Sequence, residues 1–222
     1  MVGYLLHSPS RIGDFIYKIG DLQMYTRMTA FVVAMLLAVS AQAAIIFQDD
    51  FDSEGTQTSH LNYNGFTNWT VSEGTVDLVG TPNPWGIGCV GGAGKCVDLD
   101  GTTRNAGVFS SSSIFLAAGT YELSFDISGN QRNSGGDTMA VTLGGFFDQN
   151  FSLNSSDPWQ TVTYQFIVGS DTSDSIIFNH AGGDNIGIML DNVVLSSVDV
   201  PEPGSLALLG LGLLGLRVAR KR

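Results

Sequence analysis

Between Thr120 and Ser128 the chain alternates without a break: Tyr121, Leu123, Phe125 and Ile127 are apolar, while Glu122, Ser124 and Asp126 between them are polar. A period of two gathers the apolar side chains on one face of an extended strand, which no helix can do. The chain must therefore build a sheet with one dry face and one wet face. Trp159 to Val168 repeats the pattern, with Val162, Tyr164, Phe166 and Val168 expected inward. Shorter candidates are 45–51, 69–72, 75–79, 96–99, 107–110, 113–116, 139–143, 148–153, 175–179 and 188–196. Turn chemistry separates them at Ala118-Gly119, Gly129-Asn130, Gly144-Gly145, Asp157-Pro158 and Gly182-Gly183-Asp184-Asn185. Short strands at this spacing, with no amphipathic helix among them, predict an all-β fold, an antiparallel β-sandwich.

Both ends of the chain read differently from this middle. After residues 1–23, which lack periodicity, come Arg27, the apolar run Met28–Val39 and Ser40-Ala41-Gln42-Ala43. A basic lead, an apolar stretch of this length and an Ala-x-Ala site describe a secretory signal helix cut after Ala43 by signal peptidase. Residues 1–43 are thus expected to be an N-terminal extension plus signal, with Met24 or Met28 as alternative starts to Met1. At the other end, Val200-Pro201-Glu202-Pro203-Gly204-Ser205 precedes an apolar run from Leu206 to Leu216 broken by three glycines, and the last six residues carry four positive charges. The run is short of the roughly 20 residues of a comfortable membrane span. Its basic end would stay on the cytoplasmic side, giving a transient membrane association. Residues 200–222 therefore read as a C-terminal hydrophobic sorting helix that an enzyme recognises and removes.

These three parts, Pro201-Glu202-Pro203, the Leu/Gly run and the Arg/Lys end, resemble the PEP-CTERM sorting signal of Gram-negative bacteria. The resemblance implies an exosortase-type sorting enzyme as partner and a destination at the cell envelope, outer surface or extracellular matrix.

The remaining segment, 44–199, is long enough for one domain with a substantial core. It holds eighteen acidic residues against Lys95, Arg104 and Arg132, a net of −15. Nucleic acid is excluded as a partner by that balance. Two cysteines, Cys89 and Cys96, flank Val-Gly-Gly-Ala-Gly-Lys. In an exported chain they are expected to close this loop as a disulfide.

Chemistry-bearing motifs are scarce. Two G-x-G-x-x-G matches, at 86–91 and 210–215, do not join a strand to a helix, and G-x-S-x-G is absent. His60 and His180 stand alone in the mature chain, so no catalytic residue is assigned and the reading is non-enzymatic. In the closing strand Met189, Val193 and Leu195 are expected to share a face with Asp191, where a lone carboxylate is costly unless paired or metal-bound. For ligand binding, Trp85 in Thr81-Pro-Asn-Pro-Trp-Gly is the expected exposed platform, since sugar rings stack on aromatic faces. Trp69 and Trp159 read as core residues.

Several short motifs, among them Asp49-Asp50-Phe51-Asp52, Trp69, Val97-Asp98-Leu99-Asp100-Gly101 and the closing strand around Asp191, resemble a galactose-binding-like jelly roll, the fold of many carbohydrate-binding modules. That resemblance implies a structural calcium near Asp50, Asp52 and Asp191, and extracellular polysaccharide as a ligand. A purely structural or adhesive matrix protein, and an extracellular polysaccharide hydrolase, stand as alternatives.

Overall fold

The structure, a computed structural model, describes residues 43–198. The signal segment with Ala41 and the sorting segment with Val200, Pro201, Glu202 and Pro203 lie outside these residues, while Ala43 is exposed at their start.

Thirteen strands follow one another among the described residues: β1 Ala44–Asp49, β2 Trp69–Ser72, β3 Asp77–Gly80, β4 Lys95–Asp98, β5 Val108–Ser111, β6 Ile114–Leu116, β7 Gly119–Ser128, β8 Gly136–Leu143, β9 Phe147–Asn154, β10 Gln160–Val168, β11 Thr172–Asp174, β12 Ile176–His180 and β13 Met189–Ser197. One sheet runs β10-β7-β13-β4-β3, with β1 also paired to β13, a second runs β2-β5-β12-β8-β9, and β11 and β6 form a separate two-stranded sheet. Pairing between neighbours is antiparallel throughout. The expected strands are all present within a few residues. The one not anticipated is β11, whose Thr-Ser-Asp has no apolar residue to signal it.

The alternation in β7 does what its period requires. Tyr121, Leu123, Phe125 and Ile127 are buried and meet Phe109, Val141, Leu143 and Phe178 of the opposite sheet in one core. Phe125 sets its edge against Phe178 with ring centroids 5.2 Å apart. Each such side chain contributes about 1.5–3 kcal/mol by leaving water. Trp69 stacks on Phe109 at 4.5 Å within this core, as expected. On β10, Phe166 and Val168 are buried, but Tyr164 is 41% exposed because this strand lies at a sheet edge; its ring packs against Phe147.

β13 organises the first sheet. Its beginning pairs with Ser128 on one side and Asp98 on the other, and its end pairs with Tyr121 and with Ala44. At about 3.3 Å per residue its two ends lie some 26 Å apart. The ladder with β7 shifts register between Asp191 and Val194, where Asn192 takes a left-handed φ of 49°. The extra residue reverses the facing of everything before it. Leu190, Val193 and Leu195 therefore enter the main core, whereas Met189 joins a second cluster with Val79, Ile87, Cys89 and Cys96. The expectation that Met189, Val193 and Leu195 share one face is corrected by this bulge.

Candidate functional site

Cys89 and Cys96 are bonded, with Cα atoms 5.5 Å apart, as the sequence suggested. Their loop covers the outer face of the first sheet at the Met189 end of β13. Glycine-rich chain has little side-chain surface with which to hold itself in place, so its conformation is fixed by polar contacts. Asn83 supplies four of these upstream: its Nδ2 donates to the carbonyls of Gly80 and Ile87, and its Oδ1 accepts from the amides of Trp85 and Ile87.

Gly88 is the hub on the other side. Its carbonyl accepts the indole Nε1–H of Trp159 at 2.8 Å and the Gln131 Nε2–H at 3.0 Å, while its amide donates to Gln131 Oε1 at 3.0 Å. Gln131 Nε2 also donates to Ser128 Oγ. Gln131 can reach back because the β7–β8 connection turns sharply, with φ of 59° at Gln131 and 54° at Asn133. Asn130 fastens that connection by donating to the Ser134 carbonyl and to Asp137 Oδ2.

Trp159 is thus held by its nitrogen, with its ring packed on the disulfide cluster and only partly buried. It is not the core residue the sequence suggested. It forms one wall of a cavity of about 370 Å³, whose other walls are Ser128, Gln131, Asn133 and the Ser155-Ser156-Asp157-Pro158 turn. The turn is rigid: the Asp157 amide donates to the Asn154 carbonyl at 3.0 Å, Asp157 Oδ2 accepts the Asn154 amide at 2.7 Å, and the Asp157 carbonyl accepts from Gly129. An indole beside hydroxyls, amides and one carboxylate is the chemistry that meets a sugar, apolar on its ring faces and polar at its rim.

Trp85, the platform expected from sequence, is 39% exposed on the Asn83-ordered turn and does not line this cavity. The cleft was missed because it draws on three connections distant in sequence. The one signal available was a tryptophan at the head of a strand, directly after a polar turn closed by Asp157-Pro158.

Of the expected calcium residues, Asp50 and Asp52 share one turn and Asp52 lies close enough to Asp191 to act on its charge. Asp50 Oδ1 accepts the Asp52 amide, and Asp52 Oδ1 accepts the Lys95 amide at 2.7 Å. Lys95 Nζ donates to the carbonyls of Glu54 and Gly55 of the same loop. Asp191 is only 4% exposed; its Oδ2 accepts Val90 N–H of the disulfide loop at 3.1 Å and its Oδ1 accepts Asn192 N–H at 2.8 Å. Among the described residues no group of three or more His, Cys, Asp or Glu side chains is arranged to hold a metal ion. Burial pushes the Asp191 carboxyl up to about 7; Asp52 and Asp126 push the same way, and the two N–H donors pull against them.

A second buried acidic centre lies under the Gly182–Gly187 turn. Asp98 Oδ1 accepts the amides of Asp100 and Gly187, and its Oδ2 pairs with the Arg132 guanidinium. Asp100 Oδ2 collects the amides of Gly183, Asp184 and Asn185. Burial pushes Asp98 up to about 8 against the pull of Arg132. These carboxylates close a turn by capping its amides, a structural task.

Residues 199–222 match the PEP-CTERM protein-sorting motif. No curated protein matches the chain. Among solved structures, the chain is similar to the CBM22-1 xylan-binding domain of Paenibacillus barcinonensis Xyn10C, at TM-score 0.45 and 15% identity over 73% of this chain and 99% of that one. It is also similar to the K3 cleaved adhesin domain of Lys-gingipain from Porphyromonas gingivalis, at TM-score 0.43 and 18% identity over 70% and 99%. A third likeness is the CBM6cm-2 module of Cellvibrio mixtus lichenase 5A in complex with cellotriose, at TM-score 0.37 and 13% identity over 64% and 97%.

Proposed function

We propose that this is an exported envelope or matrix protein, sorted through its C-terminal motif by an exosortase-type enzyme, whose β-sandwich is a glycan-binding jelly roll. The observation that carries the binding reading is the Trp159 cavity. Its indole is immobilised before any ligand arrives, so little ordering entropy is left to lose on binding. Its rim offers Ser128, Gln131, Asn133 and Ser155 as hydrogen-bonding partners for hydroxyls. The role is one of binding, with no reaction assigned to any residue.

The test is a glycan-array screen of residues 44–199, which contain the whole core described above, with Trp159→Ala and Trp85→Ala in parallel. Selective binding that survives Trp85→Ala and is lost in Trp159→Ala is the expected result. Silence across the array with the domain folded would leave a structural or adhesive matrix role. A chelator arm reads the calcium expectation: binding or melting temperature that falls with chelation, and no longer does so in Asp191→Ala, would establish that ion.

A further inference from the structure

We infer that the Trp159 cleft selects neutral glycans and turns away those carrying uronate or sulfate, with Asp157 as the discriminating residue; this rests on the glycan-binding reading. Anionic sugars need a cation at the site, and the domain has three to offer. Lys95 is committed to the carbonyls of Glu54 and Gly55. Arg132 sits between two lining residues, yet its guanidinium turns inward to Asp98 and to the Asn185 carbonyl. Arg104 is exposed on the β4–β5 connection and is not among the residues that line this cleft.

The charge the cleft does present is negative. Asp157 uses Oδ2 to hold its own turn, and Oδ1 makes no hydrogen bond to the described residues. That oxygen suits a sugar hydroxyl as donor and repels a second carboxylate or a sulfate. The net charge of −15 on the domain adds a longer-ranged repulsion of the same sign. Local and global electrostatics therefore agree. A turn aspartate was one of many in this acidic sequence; its position beside a fixed indole gives it a role in selection.

The experiment is calorimetric titration of residues 44–199 with neutral oligosaccharides (xylohexaose, cellohexaose, laminarihexaose) and acidic ones (tetragalacturonate, a chondroitin sulfate hexasaccharide). Wild type and Asp157→Asn are compared at low and high salt. Asparagine keeps an oxygen for the Asn154 amide, so the turn is retained. The expected result is binding confined to the neutral set, with Asp157→Asn or added salt narrowing the neutral-to-acidic gap by about tenfold, the scale of one screened charge at contact. Acidic oligosaccharides bound as tightly as neutral ones by wild type would overturn the selectivity while leaving glycan binding intact. An unchanged gap in Asp157→Asn would remove Asp157 from it. If no member of either set binds, the glycan reading fails and this inference falls with it.

Discussion

The two ends of β13 are built on different principles. At the Ser197 end the chain is held mainly by backbone pairing with β1, which itself shifts register between Ile45 and Phe47: Ala44 lies opposite Ser197, their backbone and hydroxyl contacts are 3.3–3.4 Å long, and Ile45 and Ile46 are exposed. At the Met189 end the fold brings together a bulge at Asn192, the Cys89–Cys96 disulfide, the buried carboxylate of Asp191 and the clamped Trp159. Backbone pairing with few side-chain bonds is enough to hold this end. Irregular backbone has no ladder to fix it and needs specific side-chain bonds instead, and those bonds leave polar groups and an indole arranged around a hollow.

Removing the cross-link tests this contrast most strongly. Cys89→Ala with Cys96→Ala is expected to lower stability by about 2–3 kcal/mol, the chain-entropy value for so small a loop. Ser197→Ala at the other pole should cost about 0.5 kcal/mol or less, since its hydrogen bonds are long and exposed. Denaturant unfolding reads both; equal losses would break the comparison.

A smaller effect comes from Asp191. Its carboxyl is raised to about 7 in the folded domain, against about 3.9 for an unperturbed carboxylate. Between those values the native state holds a proton that the unfolded chain has lost, so this group's contribution to stability is largest below pH 4 and declines as pH rises through 7. Asp191→Asn should flatten the fall in melting temperature across that window by a few degrees, leaving the share of Asp98, which titrates about one unit higher. An unchanged slope would remove Asp191 from the balance.

Much of this fold was legible in the sequence, and for a physical reason. β7 lies between two neighbours with one face in the core and one in water, so its alternation is complete. The Cys89–Cys96 pair was legible because an exported chain with two nearby cysteines has few alternatives. Asp191 and Met189 were expected to share a face with Val193 and Leu195, and a single bulged residue separates the two pairs by inverting parity, which leaves no trace in the spacing. The cleft was illegible because Gly88, Gln131 and Asp157 come together only when the disulfide loop folds over the sheet. Trp159 looked like core from its place at a strand head, and half of that is true: one side packs on the cystine, the other lines the hollow.

The most direct test of the account is a two-dimensional NMR titration of residues 44–199 with the tightest binder from the array, following backbone and indole N–H signals. The account predicts shifts at the Trp159 indole and at the amides of Gly88, Gln131, Asn133 and Asp157, with the Ala44 and Ser197 pole unmoved. Shifts confined to Trp85, or centred on the Ala44–Ser197 pole, would contradict it.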